Sequence, residues 1–286
     1  MSYKIIVDSC CDLTEDMKSW DNLQVIPLTL QIGDYTISDD ENFDQDDFIN
    51  RMINSNVIAK SACPSPQAFA SACEGDFSDV YIITITDRLS GCFNSAQQGV
   101  ALYKDEHDDN KNIHIFNSLA TAGTETLAAM EIKKLADSGE SFESVVASVE
   151  SLINEKSALY FSLESFDMLK GNGRLFNLAA NVIEALRVKI IGKAVDGKIS
   201  IAGKDLTLKR ALMKLVGFIN NDTQGADLTD KKLIISYVCD KEKAETIKNL
   251  VISNTRYTAE NIIILKASGL NSLYASNGGI IVAFNF

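Results

Sequence analysis

Proline, histidine and tryptophan are scarce in this chain: three, two and one among 286 residues. So few prolines leave no material for a proline-rich linker or a disordered tail. The histidines are His107 and His114, and none of the six cysteines forms a Cys-x-x-Cys pair, so no metal centre of the zinc type is expected. Positive charge is also short. Lys and Arg number 27 against 39 Asp and Glu, giving a net charge of −12 and an isoelectric point near 4.7. Nucleic acids and anionic membrane surfaces both select clustered cations, so neither is an expected partner. No run approaches the roughly 20 apolar residues that span a bilayer. The opening Met1-Ser2-Tyr3-Lys4 leads straight into a strand-like segment, without the apolar core of a signal peptide. A cytoplasmic protein with no stable membrane insertion is the expectation. Cys10, Cys11, Cys63, Cys73, Cys92 and Cys239 then read as small buried hydrophobes, with thiol chemistry as the alternative.

What is present is a chain 46% hydrophobic, enough to fill two domains or one large one. Its first part alternates strand and helix signals. Lys4–Val7 reads as a strand, followed by a polar turn and a helix beginning near Thr14; Leu23–Ile32 reads as one strand. Asp44–Asn54 reads as a helix with Phe48, Ile49, Met52 and Ile53 on one face. Ser65 before Pro66 predicts a capped helix start. Val80–Thr84 and Ile113–Phe116 are buried-strand runs, and Thr121–Ser138 is a long helix. This alternation predicts a parallel sheet with helices on both faces.

The pattern changes near Ser157. A strand at Ala158–Leu163 and a short helix at Glu164–Lys170 precede the basic, hinge-like Lys170-Gly171-Asn172-Gly173-Arg174. Val188–Ala194 and Lys198–Ile201 flank Asp196-Gly197, a hairpin signal. Helices at Thr207–Asn220 and Lys241–Asn254 interleave with strands at Leu233–Val238, Ile262–Lys266 and Gly279–Phe284. The fold class expected is therefore α/β, with an N-terminal parallel-sheet α/β/α domain over residues 1–160. A C-terminal α+β domain with a mixed or antiparallel sheet follows over 161–286.

Three short segments carry the chemistry. Asp8-Ser9-Cys10-Cys11-Asp12, Ser61-Ala62-Cys63-Pro64-Ser65-Pro66 and Ser90-Gly91-Cys92-Phe93-Asn94-Ser95-Ala96 each follow an apolar run and read as helix openings. Hydroxyls and backbone N–H groups at strand ends can hold a small anion. The same residues also serve as turn and cap chemistry, and both readings stand for Ser61, Ser90, Thr121 and Gly123. Gly91 lets a ligand approach the backbone. Asp8 and Asp12 read either as oxygen ligands or as caps, and Ser9 as lining the site. No histidine stands beside these hydroxyls, and no GxxxxGK[ST] or GxGxxG is present, so neither nucleophilic catalysis nor a nucleotide site is expected. Gly173-Arg174 reads as an exposed loop or a partner contact.

In this order the segments resemble the DegV family over essentially the whole chain. Ile5-Ile6-Val7-Asp8-Ser9-Cys10-Cys11-Asp12-Leu13 is similar to its "ivtDStsDl" opening. Lys60–Pro66 is similar to "kTSqPSp", Leu89–Ala96 to "LSGTyqsA", and Leu169–Leu175 to "LkkGGRi". The resemblance implies a non-catalytic subunit that binds one long-chain fatty acid between its two domains and needs no cofactor. It would present the carboxylate to a separate ATP-dependent kinase subunit, which makes acyl phosphate for phospholipid synthesis. It implies that Ser61 and Ser90 hold the carboxylate, with Ser9, Gly91, Ser95 and Thr121 as the supporting loops, and that Arg174 faces the kinase. Two positions depart from the pattern. Tyr274 stands where a carboxylate-binding histidine is expected, and a phenol donates one hydrogen bond without carrying positive charge. Lys189-Ile190-Ile191-Gly192 lacks the family's proline. A lipid or small-acid binder without kinase coupling, or an enzyme acting on a small phosphorylated or acyl substrate, remain the alternatives.

Overall fold

The computed structural model describes residues 2–175 and 188–286. Its framework follows from strands buried on both faces. In β1 (Tyr3–Asp8) and β6 (Asp79–Thr84) successive apolar residues point to opposite sides. Ile6, Val80 and Ile82 pack against α2 (Pro66–Ala72) and α3 (Cys92–Glu106). Ile5, Val7, Tyr81 and Ile83 pack instead toward α4 (Gly123–Asp137) and α5 (Phe142–Glu155). With β2 (Leu23–Ile26) and β7 (Asn112–Asn117) these strands form a four-stranded parallel sheet, in the order β2-β1-β6-β7.

A six-stranded sheet covers the other side of α4 and α5. Its order is β10-β9-β8-β13-β11-β12, built from β8 (Ser157–Ser162), β9 (Lys189–Val195), β10 (Lys198–Asp205), β11 (Leu233–Tyr237), β12 (Ile262–Lys266) and β13 (Ile280–Asn285). Only its β11–β12 pair is parallel. Its outer face, with Tyr160, Ile235 and Val282, packs on α7 (Leu208–Asp222) and α8 (Lys241–Asn254). The layers are thus helix, sheet, helix, sheet, helix. The central helix layer is shared: a Cβ added to Gly123 would lie 2.9 Å from the Cβ atoms of Ile234 and Ala283. That glycine lets α4 meet the second sheet.

The mixed α/β fold agrees with the sequence reading, the Ser65 cap forms as expected, and Asp44 caps the helix expected from that residue on. Three expectations need correction. Leu23–Ile32 is two strands, because Pro27 has no N–H to give a ladder. Beyond it, β3 (Thr29–Ile32) leaves for a separate antiparallel sheet, ordered β4-β3-β5, with β4 (Tyr35–Ser38) and β5 (Lys60–Ala62). The helix expected near Thr14 is only a 3-10 turn at Met17–Ser19, whose first N–H is taken by Thr14 Oγ1 at 3.1 Å. The Asp8–Asp12 segment accordingly opens a turn, not an α-helix. Residue 160 lies inside β8, all of which belongs to the six-stranded sheet.

Candidate functional site

Adjacent strands β1 and β6 send their following connections to opposite sides, β1 to β2 and β6 to β7. Such a switch point leaves a crevice at the carboxyl ends of the strands. There the loop after β6 meets β5, α6 (Asp167–Gly171), α9 (Gly269–Ala275) and the β9–β10 hairpin around a cavity of about 340 Å³. The hairpin tip is the expected two-residue turn, with Asp196 and Gly197 at φ 49° and 76°. It is docked by Thr86 Oγ1, which donates to the Gly197 carbonyl at 3.1 Å.

One part of the cavity wall is apolar: Phe161, Leu163 and Leu169 from the 161–169 run, with Ile199, Leu270 and Ile281. The sequence offers a second apolar run as a candidate lining, Leu175–Leu186, which beyond Leu175 lies outside the described residues. Another part is hydroxylic. Ser61, Ser90, Thr121 and Tyr274 all line the cavity, as does Gly91. Ser61 Oγ lies 3.5 Å from the Tyr274 phenol, bringing together two residues 213 positions apart. Ser90 Oγ donates to Cys92 Sγ at 3.2 Å and accepts from the Cys92 N–H at 3.3 Å. Ser90 is therefore not the N-cap of α3. That position falls to Gly91, which has no capping side chain. Thr121 Oγ1 is spent on Asn271 Oδ1 at 2.9 Å.

Ser9 and Ser95 are elsewhere. Ser9 is buried, donating to Asp39 at 2.9 Å and accepting from the Leu28 N–H at 3.0 Å; it does not line the cavity. Ser95 Oγ donates to the Pro64 carbonyl at 2.6 Å, tying the Ser61–Pro66 segment to the first turn of α3. Gly173-Arg174 is not an exposed pair: Gly173 is exposed, but Arg174 is half-buried in the cavity wall and donates to the Asn172 carbonyl at 3.0 Å. Lys198 and Asn271, which the sequence did not single out, also line the cavity. Asn271 follows no apolar period, and only tertiary contacts reveal it. Its Nδ2 donates to the Cys10 carbonyl at 2.8 Å and to Asp12 Oδ1 at 2.9 Å.

Asp8 and Asp12 both belong to the scaffold. Asp8 accepts the N–H groups of Cys10 and Ile85. Asp12 accepts those of Ser268 and Asn271, joining the first strand's turn to α9. Among the described residues one group of three potential metal ligands converges: Asp8, Cys10 and Glu125, with ligand atoms within 4.8 Å of one another. Burial, and then the neighbouring carboxylate of Asp8, hold the Glu125 carboxyl and the Cys10 thiol in their protonated forms well above their usual ranges. Burial likewise raises Cys92, so Cys10 and Cys92 are poor nucleophiles. All six cysteines are free, and Cys63 is exposed at the cavity. His107 and His114 are engaged by Tyr103 and Glu150. Among the described residues the cavity wall contains no His, Asp or Glu.

The DegV family model matches residues 2–284. The chain belongs to the DegV family. A DegV domain-containing protein of Streptococcus pyogenes is 34% identical over 290 residues, covering 99% of each chain. Among solved structures, a DegV family protein from Ruminococcus gnavus with vaccenic acid superposes with a TM-score of 0.93 at 35% identity, over 99% of both chains. The fatty acid kinase B3 protein of Streptococcus pneumoniae, loaded with linoleic acid, gives 0.89 at 30% identity, over 100% of this chain and 99% of that one. No described helix is long and apolar enough to cross a membrane.

Proposed function

We propose that this DegV protein binds one long-chain fatty acid in this cavity. The carboxylate meets the hydroxyls of Ser61, Ser90 and Tyr274, and the acyl chain runs along Phe161, Leu163 and Leu169. The observation that carries this reading is one cavity with both surfaces, an apolar wall and a cluster of neutral donors. Burying a chain of about 16 carbons gains on the order of 10 kcal/mol, at about 0.8 per methylene. Ordering the ligand offsets several of these, which leaves micromolar or tighter binding. The donors fix the carboxylate, since a buried anion without partners is costly. The fatty acids held by the two similar solved proteins support the same reading.

We further propose that the protein hands this carboxylate to a separate ATP-dependent kinase subunit in the cytoplasm, contributing no catalytic group or cofactor itself. Among the described residues no His, Asp or Glu stands in this wall to take a proton from a hydroxyl. We divide the chain ahead of β8, so that residues before Ser157 carry the carboxylate loops and the remainder covers the acyl chain. Tyr274, in place of a histidine, favours a second reading in which the protein stores lipid without kinase coupling.

Organic extraction and mass spectrometry of the purified protein test the first reading. One fatty acid per chain is expected, and the Ser61→Ala, Ser90→Ala double variant should retain several-fold less. Unchanged occupancy in that variant would move the carboxylate elsewhere. Arg174→Ala that keeps its lipid but blocks acyl phosphate formation by an added kinase subunit would support coupling. Loaded wild-type protein that no kinase subunit phosphorylates would favour storage.

A further inference from the structure

Gly192 stands in the middle of β9, between Ile190 and Ala194 on the face turned toward the cavity. Across the sheet its row reads Ile281, Phe161, Gly192, Ile201. Phe161 does not project straight out from this row. A Cβ built on Gly192 would lie 2.0, 2.2 and 2.7 Å from three atoms of the Phe161 ring. The ring therefore occupies the space that a side chain at 192 would fill, lying against the sheet. Phe161 is also a wall of the cavity. Whatever stands at 192 thus decides how far this ring protrudes into it.

We infer that Gly192 sets the width of the acyl cavity and makes it accept a bent, cis-unsaturated chain. This rests on the fatty acid reading above. A straight saturated chain needs only a narrow channel, whereas a cis double bond throws the chain sideways and needs lateral room. A methyl group at 192 cannot coexist with the ring where it lies. The ring must lift off the sheet and narrow the channel, and a packed interior tolerates such an insertion poorly. The backbone itself does not demand glycine, for Gly192 has no positive φ. The glycine is explained by the ring.

The test is a competition. Delipidated protein is incubated with equal amounts of palmitate and palmitoleate, and the bound lipid is extracted and weighed by mass spectrometry. The wild type should take up palmitoleate at least as well as palmitate. Gly192→Ala should shift the bound ratio toward palmitate by about fivefold or more. Adding Phe161→Leu, which removes the lifted ring, should restore the ratio. Should Gly192→Ala itself fold poorly, the double variant is compared with Phe161→Leu alone: with no ring left to lift, the added methyl group should leave the bound ratio unchanged, and a shift toward palmitate there would overturn the inference. An unchanged ratio in folded Gly192→Ala would overturn the inference while leaving fatty acid binding intact. Wild type that takes up neither acid would overturn both.

Discussion

Gln45 and Glu125 are almost equally removed from water, at 2% and 0% exposure, yet their surroundings are opposite. Gln45, the first residue of α1 (Gln45–Asn54), reaches into the seam between that helix and the C-terminal half. Its Nε2 donates to the Ala267 carbonyl at 2.9 Å and to Ser272 Oγ at 2.8 Å, and its Oε1 accepts the Cys239 N–H at 3.1 Å. Glu125, in the first turn of α4, has no N–H or hydroxyl donor on either carboxyl oxygen; its ionisable neighbours are Asp8 and Cys10, and its retained proton faces the Asp8 carboxyl. The amide is a joint, with both ends supplied by distant parts of the chain. The carboxyl is tolerated because it stays neutral. A buried polar group survives either by finding partners or by keeping its proton.

Breaking the joint should have the largest effect. Gln45→Ala strands the Cys239 N–H and leaves the Ala267 carbonyl and Ser272 Oγ only each other, and urea unfolding should show a loss of about 3 kcal/mol. Glu125→Gln should act in the other direction. The folded protein holds the Glu125 proton to a higher pH than the unfolded chain does. Wild-type stability therefore falls as pH rises from the ordinary carboxylate range toward the raised folded value. The glutamine variant should match wild type near pH 4 and exceed it by about 1 kcal/mol at pH 8, with a flatter profile between. A steeper fall in the variant would mean that Glu125 is stabilising as an anion. The smallest effect belongs to the residue next to Gln45. Asp46 pairs with Lys266 across the same seam at 2.9 Å, but with side chains 62% and 46% exposed. Asp46→Ala should cost less than about 0.5 kcal/mol, and that cost should vanish in high salt.

Much of the frame was legible because it is local. The apolar runs of β1 and β6, the Asp44 and Ser65 caps and the Asp196-Gly197 turn each declare themselves within a few residues. At the site, Ser61, Ser90, Thr121 and Tyr274, far apart in the chain, line one cavity. Gln45, Asp39 and Asn271 were illegible because each has partners more than 100 residues away that decide its role. Asp39 is the clearest case. It accepts from Ser9 and from the N–H groups of Gly269 and Leu270. Burial nonetheless outweighs those bonds and raises its carboxyl to about 6. In the sequence it is one acid in the run Asp39-Asp40-Glu41. Helix α9 escaped notice for the same reason: its seven residues begin on backbone N–H groups that Asp39 holds. Helix α5 did carry a signal, a Ser141 cap followed by Val145, Val149 and Leu152 on one stripe.

The position of β13 has a consequence for how the protein is made. Ile280–Asn285 follows every other strand of its sheet in the chain, yet it lies between β8 and β11 and pairs with both. On the ribosome, therefore, β8 and β11 each wait with an unpaired edge while more than 40 further residues are added after β11. Asp12, Asp39 and Gln45 also wait, since their partners on α9 come just ahead of that strand. The cavity wall that includes Leu270, Tyr274 and Ile281 is the last to be translated. Lipid can be enclosed only once Ile281 has been added and β13 has taken its place between β8 and β11.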